Sequence, residues 1–581
     1  MSTPRRPIVI GNISGFYGDR INAAREMVEG GPVDVVCGDY LAELTMLILA
    51  KAQAKDPALG YARTFLTQVE QILGTCLERG IKIVSNAGGL NPAGLADAIR
   101  EVAAKLGLDV AVAHVEGDDL RGDLGAIVPP VAGKPVSANA YLGGWGIAEA
   151  LGAGADVVVT GRVTDASLVV GPAAWWHGWG PTDWDALAGA VVAGHVIECG
   201  PQATGGNYAF FSEVTDRRYP GFPIAEVAAD GSTVITKHPG TGGLVSTGTV
   251  TAQLLYEIQG PAYLGPDVTT HFDTITLEQE GEHRTRISGV RGSAPPDTLK
   301  VALNDNGGYR NSMTMVLTGL DIEEKAAFAE EMLFGILGGR DRFAEVDVRL
   351  LRFDQPDAPT NEQATAHLRV TVKDQDPRLV GRAFSNATME LALAGYPGFH
   401  TTTPPSSESA FGIYRPATVA RSAVTQTVVL PDGTRRVVAD PPTGPADVTA
   451  PTGAAAGARP GSGAVPDGPT RRVPLGTVCA ARSGDKGGNA NIGLWARDDA
   501  GYAWMAAHLD VDTIRGLIGP EAADLRIERF ELPNLRALNV VVHGILGEGV
   551  ASTTRPDPQA KGLGEYVRSR LVDVPEALLQ D

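Results

Sequence analysis

The sequence has few of the residues that build disulfide scaffolds and zinc sites. Its 581 residues include four cysteines, Cys37, Cys76, Cys199 and Cys479, and no two have the C-x-x-C spacing of a metal or redox motif. Disulfide frameworks belong mainly to small secreted domains, and a chain of this length can build its own cores. We therefore expect free thiols, a reducing environment and a cytoplasmic location.

Long apolar runs and an excess of positive charge are also missing. No stretch reaches the roughly 18 apolar residues that a membrane span requires, and residues 1–6 lead into the first apolar segment without a signal-peptide pattern. The chain has 68 Asp and Glu residues and 49 Lys and Arg residues, which gives it a net charge of −19. Nucleic acids and anionic membranes bind clustered cations, so we predict neither as a partner. A local basic pocket for an anionic ligand stays compatible with this charge.

The chain is too long for one ordinary core, so two or more domains are expected. Residues 441–472 are rich in Pro, Gly and Ala and have no apolar periodicity, which is typical of a linker. The sequence thus predicts three parts: an α/β body over residues 6–440, the linker over 441–472, and a small domain over 473–581.

Four short apolar runs in the N-terminal part of the chain each end in glycine and polar side chains, at residues 14–20, 37–40, 85–92 and 160–167. Short β-branched runs predict strands that are buried on both faces, and helical spacing over residues 62–78 and 92–106 completes a βαβα rhythm. The predicted fold class is α/β, with a mostly parallel sheet. Ligands bind at the carboxyl ends of such strands, so the four runs predict a small-molecule site.

Beyond about residue 205 the pattern changes to a mixed α+β half. It predicts a helix over residues 322–337, a turn over 304–308, and strands over 233–236, 244–250, 270–277, 346–352 and 366–373. In the last domain we predict helices over 510–518 and 561–571, and strands over 476–481, 490–496, 502–507 and 538–542. Two helices against a small sheet form a ferredoxin-like α+β pattern.

The first two strand ends offer candidate ligand-binding groups. Backbone N–H groups of residues 14–20 and the Arg20 guanidinium would bind an anion; alternatively Asp19 caps the next helix and pairs with Arg20. Asp39 would serve as a general base, a metal ligand or a helix cap. Cys37 precedes it at the buried end of the strand, where packing is the simpler explanation.

The other two strand ends carry an amide, paired glycines and a charged pair. Asn86 would donate to a carbonyl or oxyanion, and Gly88 and Gly89 would let the backbone approach a ligand closely. The alternative is a tight turn that leads into a helix. Arg162 and Asp165 would grip a carboxylate or position a base; alternatively they form a structural salt bridge.

Residues 198–207 are dense in glycine and polar side chains. Cys199 is the better nucleophile candidate among the four thiols. Gln202, Thr204 and Asn207 would supply neutral hydrogen bonds to a substrate carbonyl. The alternative is a glycine-rich loop without chemistry.

In the C-terminal domain, residues 481–491 place Arg482 and Lys486 in a glycine-rich loop between two strands. Such a loop would bind a phosphate or a carboxylate, or it would form an interface. Asp485 could instead neutralise one of the cations. No complete nucleotide fingerprint occurs in the chain, and the sequence leaves any metal or cofactor unknown.

The strand-end motifs at residues 14–20, 37–40, 85–89 and 161–165 resemble the acyclic terpene utilisation family AtuA, over residues 6–440. Residues 481–491 resemble the small ferredoxin-fold domain that follows in the same family. The resemblance implies bacterial catabolism of acyclic terpenes such as citronellol and geraniol, alongside acyl-CoA carboxylases and acyl-CoA dehydrogenases. It assigns no catalytic residue.

Together these features predict an enzyme that acts on a branched or carboxylated acyl-CoA by hydration, lyase or thioester chemistry. Asn86, Gly88 and Gly89 would hold the thioester carbonyl, and Asp39 or Asp165 would move a proton. Arg20 or Arg162 would hold a carboxylate. The alternative is a non-catalytic partner or scaffold of an acyl-CoA carboxylase complex; nucleotide-dependent chemistry is a weaker third hypothesis. We also expect a homo-oligomer.

Overall fold

The computed structural model describes residues 5–445 and 465–579 and divides the chain into two compact units. The first unit comprises Met1–Asn304, Tyr414–Val550 and Asp557–Asp581. The second comprises Asp305–Ile413 and Ala551–Pro556. The small C-terminal domain thus belongs to the same unit as the N-terminal segment Met1–Asn304. Residues 446–464 of the predicted linker lie outside the described residues.

An eleven-stranded sheet forms the centre of the first unit. Its five central strands are parallel, in the spatial order β1-β2-β3-β5-β4. In chain order they are β1 (Ile8–Ser14), β2 (Val35–Gly38), β3 (Lys82–Ser85), β4 (Val112–Glu116) and β5 (Val157–Thr160). Almost all of their residues are buried, which confirms the predicted parallel sheet. Because Gly38 lies opposite Ser85 and Ser85 opposite Val159, the carboxyl ends reach one edge together.

The flanks of this sheet are antiparallel, so the sheet as a whole is mixed. Four strands extend it beyond β1 and two extend it beyond β4. They are β6 (Pro223–Val227), β7 (Thr233–Lys237), β8 (Thr276–Gly281), β9 (Arg284–Ser288), β10 (Thr427–Val429) and β11 (Arg435–Val437). Within this sheet, parallel pairing is therefore confined to strands of the segment where βαβα periodicity is present in the sequence.

Eight helices of the described chain belong to the N-terminal segment of the first unit. They are α1 (Ala23–Gly30), α2 (Glu43–Lys55), α3 (Arg63–Arg79), α4 (Pro92–Leu106), α5 (Trp145–Gly152), α6 (Ser167–His177), α7 (Trp184–Ile197) and α8 (Thr247–Leu254). The Asn91 side chain caps α4 by accepting the Gly94 N–H at 2.9 Å, and Pro92 occupies the first helical position. Small strands complete this region: Ile127–Val128, Ser137–Ala140, Ala262–Leu264, Thr269–His271 and Arg291–Ser293.

The second unit packs helices against an antiparallel sheet. Its helices are α9 (Ile322–Leu337), α10 (Pro377–Val380) and α11 (Arg382–Ala394). Its strands are Glu345–Arg352, Thr365–Asp374, His400–Thr401 and parts of Thr298–Thr318 and Ser409–Ala420. The helix and the two strands that the sequence predicts between residues 322 and 373 are confirmed.

The C-terminal domain is ferredoxin-like, with four antiparallel strands in the order β12-β13-β15-β14. The strands are β12 (Cys479–Lys486), β13 (Asn489–Ala496), β14 (Ile527–Leu532) and β15 (Ala537–Val542). The helices are α12 (Asp499–His508), α13 (Val511–Ile518) and α14 (Leu563–Ser569), and Thr470–Pro474 pairs with Leu571–Pro575.

Four predicted elements are wrong. Residues 270–277 do not form one strand, because the 3-10 turn Phe272–Thr274 separates Thr269–His271 from Thr276–Gly281. Residues 502–507 lie in α12, where the Asp498 side chain caps the helix by accepting the Gly501 N–H at 2.8 Å. Residues 244–250 enter α8 instead of forming a strand, because Ser246 and Thr249 form a capping box. Residues 304–308 lie inside the strand Thr298–Thr318 and not in a turn. Among the described helices, none is long and apolar enough to cross a membrane.

Candidate active site

Asp39 leaves the carboxyl end of β2 and is buried, with 6% of its surface exposed. Asn86, at the end of β3, donates from Nδ2 to Asp39 Oδ1 at 2.6 Å. The Asn86 Oδ1 accepts the backbone N–H of Tyr40 at 2.8 Å. Both ends of this amide therefore hold the Asp39 loop, so Asn86 positions the carboxyl group.

Arg162 and Asp165 follow β5. The Arg162 Nη1 donates to Asp165 Oδ1 at 2.6 Å, and the arginine side chain is almost completely buried. The Asp118 carboxylate holds the backbone of this loop. Its Oδ2 accepts hydrogen bonds from the Arg162 N–H and from Asn139 Nδ2, each at 2.8 Å. Arg162 and Asp165 therefore form the predicted ion pair, and the pair lies at the same edge of the sheet as Asp39.

Six ionisable side chains interact electrostatically at this edge: Asp39, Arg162, Asp165, Glu198, Glu257 and Lys486. We call them the central cluster. Burial raises the pKa of the Asp39 carboxyl well above its usual range; Asp165 adds to this effect, while Arg162 and the Asn86 hydrogen bond oppose it. Burial raises the pKa of Glu198 in the same way, and Asp165 reinforces it.

Glu257 follows α8 in a left-handed conformation, with φ of +57°. This conformation is uncommon for residues other than glycine. Here the backbone N–H of Glu257 donates to Asn491 Oδ1 of β13 at 2.8 Å. Burial raises the pKa of Glu257 to about 7, although Lys486 opposes the shift. Glu257 can therefore gain and lose a proton near neutral pH.

The C-terminal domain contributes further charges to the same place. The Lys561 Nζ lies 3.6 Å from Glu257 and 3.8 Å from Asp485, and it is hydrogen-bonded to the Tyr256 hydroxyl. Burial lowers the pKa of Lys561, whereas burial and the Glu257 charge raise the pKa of Asp485 to about 8. Residues from both ends of the chain thus share one electrostatic environment.

A tyrosine borders the central cluster between two cations. The Tyr141 ring centre lies 4.2 Å from the Arg162 guanidinium carbon and 4.6 Å from the Lys300 Nζ. Burial of Tyr141 favours the neutral phenol, but Arg162 and Lys300 together outweigh it and lower the pKa of Tyr141. The phenol is therefore a further candidate for proton transfer.

His195 lies beside Glu198, with 3.4 Å between its Nδ1 and Glu198 Oε1. The imidazole packs against the rings of Tyr263 and Phe272, with centroids 5.5 Å away in each case. Burial lowers the pKa of His195 to about 4, and Lys486 adds to the effect. The ring is therefore neutral at pH 7.

A cleft of about 450 Å³ opens next to the central cluster. Three of the predicted ligand-binding residues line it, namely Gln202, Asn207 and Arg482. Its other lining residues are Tyr208, Ala209, Phe211, Ala481, Ser483, Lys561 and Glu565. Lys561 belongs to the cleft and also contacts Glu257, so the cleft adjoins the buried carboxyl groups.

Asp19 and Arg20 have partners of their own, outside the central cluster. Asp19 accepts the Gly15 N–H at 2.8 Å and the Arg20 N–H at 2.7 Å, which closes its own turn. The Arg20 guanidinium pairs with Glu26 at 2.8 Å and covers the Tyr219 ring. Neither helix capping by Asp19 nor an Asp19–Arg20 side-chain pair is found among the described contacts.

Gly88, Gly89 and Thr204 are engaged in chain packing. A Cβ atom on Gly88 would lie 2.4 Å from the Thr160 carbonyl oxygen, so this glycine permits two chain segments to touch. The Gly89 N–H donates to the Asn86 carbonyl within the turn. The Thr204 hydroxyl donates to the Gly221 carbonyl at 2.7 Å.

Cys199 is next to Glu198 and close to the central cluster. Burial raises the pKa of the Cys199 thiol well above its usual range, and Glu198 and Glu257 reinforce the shift. Thiolate formation, on which nucleophilic reactivity depends, is therefore disfavoured here. All four cysteines are free, and burial raises the pKa of Cys37, Cys76 and Cys479 to about 12.

Sequence reasoning missed Glu257, Lys561, Tyr141 and Lys300. Glu257, Lys561 and Lys300 lie outside the glycine-rich strand ends. Tyr141 directly follows the strand Ser137–Ala140 and precedes Gly143 and Gly144, so the strand-end pattern could have found it. In the described part of the chain, no group of three or more His, Cys, Asp or Glu side chains has the arrangement of a metal site.

Two family models match the chain. The model described as acyclic terpene utilisation family protein AtuA matches residues 8–430. The model of the AtuA ferredoxin-like domain matches residues 473–573. No curated protein matches the chain.

Proposed function

Since the chain belongs to the acyclic terpene utilisation family AtuA, we propose that it is an enzyme that adds water to, or removes water from, a branched acyl-CoA. The observation that carries the proposal is the central cluster, in which several buried carboxyl groups lie beside cations at the edge of a parallel sheet. Carboxyl groups with raised pKa values beside an ion-paired carboxylate suit a reaction that needs an acid and a base at the same time.

The proposed elimination has two proton movements. The carboxylate of Asp165 takes a proton from the carbon next to the thioester carbonyl, and the electrons of that C–H bond form a carbon–carbon double bond. The carbon–oxygen bond of the neighbouring hydroxyl breaks, and the protonated Asp39 supplies the proton with which it leaves as water. Hydration is the reverse. Arg162 stabilises negative charge on the thioester oxygen in the transition state.

The surroundings of Asp39 and Arg162 support these roles. Asn86 holds Asp39 at 2.6 Å, and Asp118 holds the backbone of Arg162 at 2.8 Å, so neither group needs to reorganise when charge develops. The raised pKa of Asp39 keeps its proton available as an acid. For Cys199, whose thiolate is disfavoured, we propose no nucleophilic step, so hydration or elimination ranks above thioester cleavage.

Mass spectrometry of an acyl-CoA panel incubated with the full chain in H₂¹⁸O, with and without EDTA, tests the proposal. Hydration places ¹⁸O in the acyl-CoA product, whereas thioester cleavage places it in the free acid. We expect Asp39→Asn and Asp165→Asn each to lower turnover by about 10²–10⁴-fold, because each removes a positioned acid or base. Unchanged turnover in both variants contradicts the assignment.

Asp109→Asn is the matched control. Asp109 is exposed and precedes the amino end of β4, whereas the central cluster lies at the carboxyl ends of the strands, so this variant retains full turnover. The competing proposal, a non-catalytic partner of an acyl-CoA carboxylase, predicts co-purification with carboxylase subunits and no turnover by the isolated chain. A cytoplasmic location and a homo-oligomeric state stay predictions, for which cell fractionation and native mass spectrometry are the respective measurements.

A further inference from the structure

Arg482 is a buried cation that faces a neutral partner. It lies on β12 with 7% of its surface exposed, and its Nη2 donates to the uncharged Gln202 side chain. Its guanidinium carbon lies 4.3 Å from the Tyr256 ring centre. In the part of the chain that the structure describes, no ion pair joins Arg482 to a carboxylate.

The neighbouring charges have partners. Lys561 lies 3.6 Å from Glu257, and Glu565 pairs with Arg568 at 3.0 Å. Burial lowers the pKa of Arg482, although the nearby Cys199 and Glu257 oppose the shift. A buried guanidinium without an ion pair at contact distance is costly. A bound anion would remove the cost, because a guanidinium forms strong, charge-assisted hydrogen bonds with a carboxylate.

The cleft in front of Arg482 is amphipathic. Arg482 and Lys561 supply positive charge to its lining, while Tyr208, Ala209 and Phe211 supply apolar surface. Phe211 is 60% exposed, so its ring is open to a ligand. Such a lining suits a ligand that carries an anionic group on an apolar chain.

We propose that Arg482 binds a carboxylate of the substrate, so that the substrate class is an acyl-CoA with a free carboxylate on its acyl chain. The inference rests on the proposed function for the acyl-CoA part, whereas the carboxylate site itself stands on Arg482 and the cleft. Arg482 and Lys561 both lie over the Tyr256 ring, and Lys561 lies 3.6 Å from Glu257, so a carboxylate bound at Arg482 would lie near the central cluster.

Isothermal titration calorimetry on the full chain tests the carboxylate site with glutarate, its neutral diamide and inorganic phosphate as probes. We expect glutarate to bind at least tenfold more tightly than the diamide. Arg482→Gln weakens glutarate binding about 10- to 100-fold, because a hydrogen bond to a charged group is lost. Arg482→Lys, which keeps the charge, retains part of the affinity. Arg526→Gln, at an exposed ion pair with Glu528, serves as the matched control and leaves binding unchanged.

Three results overturn the inference: equal glutarate affinity in Arg482→Gln and the original chain, equal binding of glutarate and its diamide, or tighter binding of phosphate than of glutarate. If Arg482→Gln fails to fold, Arg482→Lys decides, since a glutarate affinity equal to that of the original chain then refutes the requirement for the guanidinium. Glutarate binding is also measured in Asp39→Asn, which lacks the proposed acid. If glutarate binds in an Arg482-dependent way but no acyl-CoA is turned over, the proposed reaction fails while the carboxylate site stands.

Discussion

The carboxyl groups of the central cluster share a location but differ in their protonation. Burial raises the pKa of Asp39 and Glu198 well above the usual range, whereas Glu257 has a pKa of about 7 and the nearby Asp485 of about 8. Asp165 is drawn into an ion pair with Arg162 at 2.6 Å. Environments that separate the protonation states of neighbouring acids are what acid–base catalysis requires.

The raised pKa of Glu257 predicts a pH dependence of stability. Glutamate in an unfolded chain titrates near pH 4.5, and Glu257 in the folded chain titrates near pH 7. Between these values the folded state keeps a proton that the unfolded state has released, so the free energy of unfolding falls as pH rises. Glu257→Gln removes this titration. We expect the variant to gain about 1–3 kcal/mol over the original chain between pH 4.5 and pH 8, measured by urea unfolding.

The comparison is differential, so the titrating groups on which the Glu257 charge does not act cancel. Glu278→Gln, an exposed glutamate of β8, is the matched control and shows no pH-dependent difference from the original chain. A constant offset between Glu257→Gln and the original chain across this pH range would mean that Glu257 is ionised in the folded state throughout.

At the level of residues, the sequence predicts the part of the site that depends on strand ends. Asp39, Asn86, Arg162 and Asp165 meet because parallel pairing brings the ends of β2, β3 and β5 to one edge. Glu257 enters by another route, since Asn491 of a distant domain holds its backbone in the left-handed conformation. No local pattern encodes such a contact, so residue spacing alone cannot predict it.

At the level of elements, α8 is a helix where the sequence predicts a strand, and this difference determines where Tyr256 and Glu257 lie. Residues 244–250 contain Val and Thr, which favour strands, and this composition predicts a strand there. The Ser246 capping box prevails, because it satisfies backbone N–H groups that only a helix leaves free. Because α8 ends at Leu254, Tyr256 and Glu257 follow it directly and lie at the site.

Removing the cap of α8 gives a second stability prediction. Ser246→Ala removes the hydrogen bond from the Thr249 N–H to the Ser246 hydroxyl, so we expect a loss of about 1 kcal/mol in the free energy of unfolding. Thermal and chemical denaturation measure the effect. Thr247→Ala, one residue along the same helix, changes stability by less than half as much. Equal effects of the two substitutions would show that the cap does not hold α8.

At the level of the whole molecule, the C-terminal domain shares a hydrophobic core with the body. Ala480, Trp495, Leu532, Leu535 and Ala537 belong to the same buried cluster as residues of β1, β2 and α7. The sequence predicts two domains joined by a linker but gives no sign of this shared core. The reason is that the contacts join segments from opposite ends of the chain, which no local pattern relates to each other.

This shared core predicts that the C-terminal domain and the site unfold together. The Trp495 ring stacks on Tyr208 with centroids 6.4 Å apart, and Trp495 is 4% exposed. Trp495→Ala leaves a cavity there, which costs about 3–5 kcal/mol. We expect faster hydrogen exchange at the Glu257 amide, which Asn491 otherwise protects, together with a loss of stability. Phe211→Ala, at an exposed ring of the cleft, leaves both unchanged. Faster exchange confined to β12–β15, with the Glu257 amide still protected, would mean that the two parts open independently.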